Sequence, residues 1–558
     1  MITRSVKVFS TRGQQEYTGG DIIEIKVSPS QVQLLNPYNT FLKFTFECKL
    51  NGGTPFFQSA SDRIGAIACI RNLTIKDGSG QTIISQIREY AQLKAVIKEF
   101  EKNDSIANLN KLMEGVSKYK KDTGIETGSN RNSGGGLLSV YYNSPPDLVA
   151  QTTFAGYKPV EIKCGLELSG ILGKGKGLKL FPIIASRGLI IEIELESNID
   201  KVLSLNGIES GKVAPDEIIG YTNGAGYELY GYVDNLGVVQ AGNIANGTNI
   251  TGVVLKKTAD AGRHITNHFL DQGGVGSFID SPWCVGQRLR MNNSPDGTGA
   301  NFNLITPITS IESATDRVVL KFALTATNVP FGAGSKIHID LANSNMASSY
   351  SVRNVELLCS SVQANQQYLS SLNGAMGKGI MMGFKDWENY PLNIPIGNVN
   401  NSLYIPAKNE RALSVMTVMQ DTSVKIPAER RIGDGLKPHV GSPNNYVWLI
   451  NGVLSPNKNV DLNRVNTGGQ FGAVQQMEVV SSLENCDIMV RNIKNQQTDN
   501  FTIQRNLSRH GHSYNLAEAS ELRLNLTYNT QPKALLSQNY VCHYRTINIS
   551  NQGVAVIK

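Results

Sequence analysis

Period-two alternation dominates the chain. Ile23, Ile25 and Val27 alternate with Glu24 and Lys26, and Leu42, Phe44, Phe46 and Cys48 alternate with Lys43, Thr45, Glu47 and Lys49. Leu189, Ile191, Ile193 and Leu195 alternate with Glu192, Glu194 and Glu196; near the end, Leu522, Leu524, Leu526 and Tyr528 alternate with Arg523, Asn525 and Thr527. Such a period puts one set of side chains on a core face and the other on a wetter face. This is the pattern of antiparallel sheets covered on one side. Asn-Gly or Asp-Gly pairs begin at Asn51, Asp77, Asn206, Asn223, Asn246, Asp296, Asn373, Asp434 and Asn451. These residues tolerate the positive φ of tight hairpins, and many short strands between such turns predict sandwiches or barrels.

Helical spacing is local. From Gln86 to Phe100, apolar residues fall at Ile87, Tyr90, Leu93, Ile97 and Phe100, which predicts a helix. A second short helix is expected from Asp104, a good N-cap, through Ile106, Leu109, Leu112 and Met113. The glycine- and polar-rich tract from Gly124 to Gly136 reads as a loop. Helix set among so many strands is an excursion from a sandwich.

A chain of 558 residues exceeds one hydrophobic core and implies two to four domains. The first strand-rich block closes near Ile199; a β-rich block, with many Gly, Asn and Thr, spans 205–345; a last block runs to Lys558. Ile70-Arg71-Asn72-Leu73 and Val352-Arg353-Asn354-Val355 match each other, but four residues are too few to establish a duplication.

Composition changes the picture in one respect. Charged residues are 18%, below the roughly 25% of an ordinary soluble domain, while glycine stands at 54. Such a surface suits a protein that packs against copies of itself. The net charge of +7 is spread along the chain, unlike the concentrated basic face of a nucleic-acid binder. Lys118, Lys120 and Lys121 close a helical stretch, where cations ordinarily complement the helix dipole. No specific nucleic-acid site is expected. The segment Met1–Lys7 lacks the apolar core of a secretory signal, and no apolar run approaches the ~18 residues of a membrane span, so folding in a cytosol-like compartment is expected.

Candidate chemistry is sparse. Cys48, Cys69, Cys164, Cys284, Cys359, Cys486 and Cys542 are far apart, odd in number and without a CxxC pair, which argues against a disulfide framework and a zinc site. Gly173-Lys174-Gly175-Lys176-Gly177 lacks P-loop spacing and reads as a basic turn. His264 and His268 lack the HExxH context; His510 and His512 flank Gly511 without nearby carboxylates or thiols; His338, His439 and His543 stand alone. Glu192 and Glu194 read as a solvated strand face in preference to a glycosidase pair. The sequons at Asn246 and Asn525 follow from an Asn-rich composition. No GxSxG elbow is present. No catalytic, cofactor-binding or metal residue is assigned, no cofactor is implied, and no enzymatic activity is expected.

Three segments resemble the double jelly-roll major capsid protein family, most of all its virophage and Polinton-like virus branch. The first is Leu166–Leu172, Leu180-Phe181-Pro182-Ile183-Ile184 and Gly188-Leu189-Ile190-Ile191-Glu192-Ile193-Glu194-Leu195; the second is Tyr350-Ser351-Val352-Arg353-Asn354-Val355-Glu356-Leu357 with a helical stretch around Tyr368 and Leu372; the third is Phe501–Leu507, the strand at Leu522, and Tyr540–Ile547. The resemblance implies an all-β chain with two jelly-roll β-sandwiches in tandem, a β-rich insertion and a short helical excursion in the first. It implies a first jelly roll over 1–204, completed by about 346–365, an inserted tower over 205–345 and a second jelly roll over 366–558. The implied function is a major capsid protein whose pseudo-hexameric homotrimers tile the shell of an icosahedral double-stranded DNA virus, assembled inside the infected cell. Its implied partners are itself, neighbouring capsomers, penton and minor capsid proteins, and a host receptor met through the tower. The competing readings are a β-sandwich receptor-binding or carbohydrate-binding spike, which needs an aromatic platform, and a polysaccharide-acting enzyme, which needs convergent carboxylates. Only three Trp are available for a platform: Trp283, Trp387 and Trp448.

Overall fold

A computed structural model describes residues 3–11, 13–49, 58–60, 64–101, 160–173, 180–205, 227–241, 250–257, 288–292, 304–313, 317–326, 336–339, 349–421, 443–462, 473–491, 501–508, 512–519, 521–528 and 534–557. The first strands are β1 (Thr3–Ser10), β2 (Glu16–Thr18), β3 (Ile22–Val27), β4 (Leu34–Lys49), β5 (Gln58–Ala60), β6 (Ile70–Asp77) and β7 (Ile83–Ile87). Helix α1 (Tyr90–Glu101) follows, then β8 (Val160–Cys164), β9 (Phe181–Pro182), β10 (Leu189–Leu195), the single turn α2 (Ile199–Val202) and β11 (Leu203–Leu205). Next come β12 (Tyr227–Asp234), β13 (Val239–Ala241), β14 (Ile250–Lys257), β15 (Arg288–Asn292), β16 (Leu304–Ser313), β17 (Arg317–Ala326) and β18 (Lys336–Ile339). The last part holds β19 (Ser349–Gln363), α3 (Gln366–Met376), β20 (Ile380–Ile394), β21 (Asn400–Tyr404), β22 (Ala412–Asp421), β23 (Asn445–Ile450), β24 (Val453–Asp461), α4 (Ala473–Asn485), β25 (Ile503–Asn506), β26 (Leu522–Thr527), β27 (Leu535–Ser550) and β28 (Gly553–Ile557).

Strand order defines two sandwiches of one topology. In the first, β1-β19-β4-β8 packs on β3-β10-β6-β7. In the second, β20-β27-β22-β25 packs on β21-β26-β23-β24. Numbered along the chain, the eight main strands of each sandwich fall in the orders 1-8-3-6 and 2-7-4-5. That is the jelly roll. In both, a helix lies between the fifth and sixth strands: α1 after β7 and α4 after β24. The repeat lies in topology, not in the four-residue match noted above. Ile70–Leu73 is in β6 and Val352–Val355 in β19, the fourth and the eighth strand of one roll. Strands β12 to β18 make a sheet of their own, in the order β13-β12-β14-β17-β16-β15-β18. They fall between the seventh and eighth strands of the first roll.

The alternating segments become the central strands. β10 buries Leu189, Ile191, Ile193 and Leu195 between β3 and β6. Its outward Glu192 meets Lys76 at 2.5 Å and Glu194 meets Arg71 at 3.2 Å. Asn451 and Gly452, with φ of 52° and 77°, form the β23–β24 hairpin turn; two successive positive φ values are what a two-residue I′ turn requires. Asn373-Gly374 makes no hairpin. It lies inside α3, whose N-cap Asn365 accepts a 2.8 Å bond from the Tyr368 amide.

The first predicted helix starts later than expected. Residues 83–87 pair with β6 as β7, Leu73 facing Ile87, and Glu89 turns the chain with φ of 51° into α1. The ladder satisfies the backbone of Ile87, so its apolar side chain serves a strand. α1 is buried nearly all round, including Gln92, Lys94 and Lys98, as befits a helix lying between layers. The expected helix from Asp104, the tract 124–136, Lys118, Lys120 and Lys121 lie outside the described residues.

One sheet is covered on both faces. Val541, Val415 and Met419 join the core of the second sandwich, together with Trp448 and Leu524. Their strand neighbours Tyr540, Cys542, Met416 and Val418 join a core continuous with the first sandwich. Every residue from Ser537 to His543 is therefore buried, and alternation fades where both faces are dry.

Candidate functional site

The feature that distinguishes this fold from a lone jelly roll is the seam between its two sandwiches. α1 and α4 both turn into it: Leu93, Val96, Ile97 and Phe100 share one core cluster with Val479 and Leu483. Polar links cross it. The Tyr540 hydroxyl donates to the Glu89 carbonyl at 3.3 Å, the Arg491 amide to the Phe100 carbonyl at 2.8 Å, and Gln420 to Gln92 at 3.1 Å. Thr82 donates to the Val554 carbonyl at 2.9 Å. The backbones also approach closely at Gly170, where a Cβ would collide with the Lys385 carbonyl oxygen and the Phe384 ring. Gly170→Ala should therefore wedge the seam open, lowering stability by about 1–3 kcal/mol, the usual cost of overpacking; urea midpoints of the two proteins would measure it.

A buried charge cluster sits at the edge of the seam. Asp386 of β20 is fully enclosed and accepts a 2.8 Å hydrogen bond from Ser85 of β7. Arg545 of β27 lies 3.4 Å from its other oxygen and donates to the Ile84 carbonyl at 3.0 Å. Burial pushes the Asp386 carboxyl up to about 6, against the pull of Arg545 and Ser85. Burial and Arg545 hold His543, opposite Asp386 in the ladder, down at about 4, against Glu388. The His543 Nε2 has no hydrogen-bond partner among the described residues. Beside the cluster opens a cleft of about 690 Å³, lined among others by Arg88, Glu388, Lys408, Glu410 and His543. Its acids and bases are interspersed, and Glu388 is already held by Asn409 at 2.8 Å.

The two shifts oppose each other. With its proton held more tightly folded than unfolded, Asp386 contributes stability that is lost as pH rises from its ordinary 3.8 through about 6. His543 holds its proton less tightly when folded. Its contribution is lost as pH falls from 6.5 through about 4. Single substitutions should unmask each. Between pH 6.5 and 4, Asp386→Asn should lose roughly 3 kcal/mol as the solution is acidified, and His543→Gln should gain about as much. Chemical denaturation at several pH values reads both slopes; slopes of the same sign in the two variants would refute the opposition.

The residues singled out in the sequence scatter. His264, His268, His439, His510, Trp283, Cys284 and Lys174 to Gly177 lie outside the described residues, and so does Asn246. His338 is in β18, and His512 is exposed. Gly173 packs too tightly against the Glu167 carbonyl to admit a Cβ. Asn525 is engaged by the Ser402 hydroxyl at 2.7 Å. Trp387 and Trp448 are both buried in cores. Among the described residues no three His, Cys, Asp or Glu side chains gather as for a metal, and no helix is long and apolar enough to cross a membrane. Sequence reading missed the seam cluster. Its one signal is an acid between two large aromatics, Phe384 and Trp387, in an otherwise ordinary strand.

No family model matches the chain, and no curated protein matches it. Among solved structures it is similar to the Faustovirus major capsid protein, at 8% identity over 99% of this chain and 91% of that one, with a TM-score of 0.47. It is similar to the Sputnik virophage structure at 8% identity over 100% and 88%, with a TM-score of 0.45. With the mavirus major capsid protein it shares 8% identity over 99% and 90%, with a TM-score of 0.39.

Proposed function

We propose that the chain is a major capsid protein, a non-enzymatic shell-former of an icosahedral double-stranded DNA virus. The observation that carries this reading is the tandem of two jelly rolls with the same strand orders and the same inserted helix, fused through a buried seam. Two such rolls side by side, repeated by a threefold axis, give six similar walls, and one chain reuses its contacts to tile a flat facet. The low charge of the chain suits walls that pack against copies. The spike reading is the weaker one, because Trp387 and Trp448 are spent in cores and unavailable to a binding platform.

In this reading the chain works within the virion shell, assembled in the infected cell, beside penton and minor capsid proteins. The sheet β12–β18 is the tower, inserted between the last two strands of the first roll and offered to a host receptor. Light scattering of the purified protein should report three copies, and electron microscopy should show hexagonal particles; a monomer over a wide concentration range would count against the capsid reading. Replacing residues 210–340 by a short flexible linker should leave trimers intact, since the rest of the first roll pairs without that sheet. Aggregated protein would instead place those strands within a shared core.

A further inference from the structure

The sequence separates its cysteines widely, but the fold brings two together. Ser414 of β22 and Cys542 of β27 are direct cross-strand partners, so their side chains leave the same face of the sheet. That is the face turned to the seam, which also carries Met416, Val418 and Tyr540. Cys486, just beyond the end of α4, packs on this face, its Sγ 2.9 Å from the Ser414 Oγ. Both thiols therefore stand against Ser414, Cys542 as its ladder partner and Cys486 within 2.9 Å of its hydroxyl. Lys385 stands beside them. Its ammonium donates to the Asn485 carbonyl at 2.6 Å and pairs with Asp487 at 2.7 Å, the residues on either side of Cys486. No disulfide links the described cysteines.

We infer that Cys486 and Cys542 form an oxidation site, a dithiol that a peroxide converts to a disulfide clamping α4 onto β27 at the seam. The thiolate of Cys486, the less enclosed of the two, attacks hydrogen peroxide; the O–O bond breaks, hydroxide leaves and a sulfenic acid forms. The Cys542 sulfur then attacks the Cys486 sulfur. The S–O bond breaks, and the departing oxygen takes protons to leave as water. The balance is two thiols and one hydrogen peroxide giving one disulfide and two waters, with two electrons passing from the sulfurs to the peroxide. Cys542 is the resolving partner because it is fully enclosed, so its sulfur meets only a sulfenic acid formed beside it and not the peroxide. This site lies outside the capsid reading and does not depend on it. In a chain exposed first to a reducing and later to an oxidising medium, it would lock the seam after folding.

The test uses the whole native protein. It is incubated with hydrogen peroxide, unfolded in N-ethylmaleimide and analysed by intact mass and peptide mapping. The expected result is two fewer alkylated thiols, one peptide linking Cys486 to Cys542, and a melting temperature raised by several degrees that reductant reverses. Cys486→Ser should abolish the link and the shift, while Cys69→Ser should keep both. If Cys486→Ser fails to fold, the wild-type map decides by itself. A link that forms only in denaturant, a link between other cysteines, or Cys486 oxidised to sulfinic acid with Cys542 still alkylated would each overturn the assignment.

Discussion

Trp448→Ala is expected to destabilise the protein by about 4 kcal/mol, within the range for deleting a buried Trp side chain. Trp448 is completely enclosed, facing Leu524 across one strand pair and Ser455 across the other. It lies among Leu403, Ile503 and Leu526 between the two sheets of the second sandwich. These neighbours belong to strands fixed by their own ladders and can collapse only partly into the space. Trp448→Phe keeps a ring in the site and should cost about half as much. Guanidinium unfolding followed by circular dichroism would compare the three proteins. Equal midpoints for wild type and the alanine variant would mean that the second core is not packed as described.

Asp386→Ala should cost about 3 kcal/mol and act at a distance from any sandwich core. The substitution removes the partner of Arg545 and leaves that guanidinium at the seam with only a carbonyl to bond, and a buried charge stripped of its counter-ion is costly. Asp386→Asn should cost far less near neutral pH, because an amide oxygen still accepts from Ser85 and a carboxylate held at about 6 already pays for its enclosure. The ratio of the two effects is diagnostic. Similar losses in both variants would show that the negative charge matters more than size or the Ser85 hydrogen bond at this position. Proteolysis of native protein would add a spatial readout, since a loosened seam exposes α1 and α4 first.

The all-β class and the central strands were legible because each has one dry face. β10 and β26 are the middle strands of four-stranded sheets, and both read from alternation alone. The helix after β7 was legible but displaced, because Ile87 fits either a strand or a helical face. Much of β27 was harder to place: Ser537, Gln538 and Asn539 are buried yet polar, and they are satisfied by bonds such as Thr417 to Asn539 at 2.7 Å and Asn389 to Gln538 at 2.7 Å. A pattern of polar residues cannot announce burial when its partners are more than a hundred positions away. The same holds for the seam. Asp386 meets Ser85 across 301 positions, and Cys486 meets Ser414, the ladder partner of Cys542, through a helix end that no spacing rule anticipates. The identity of the two strand orders was also invisible, since it is carried by pairing and not by residues.

The eighth strand of the first sandwich has a consequence for how the protein is made. β19 lies between β1 and β4 at the centre of its sheet, yet β4 ends at Lys49 and β19 starts at Ser349. At translation rates of about 5–20 residues per second, roughly 15–60 s separate the two on the ribosome. During that interval β1 and β4 emerge with facing edges open and nothing to fill the gap, and open edges invite pairing with neighbouring nascent chains. The first sandwich therefore cannot fold vectorially from its amino terminus. It must wait, shielded by chaperones or by the slow closure of a long loop, whereas the second sandwich is encoded without interruption and can close as soon as it leaves the tunnel.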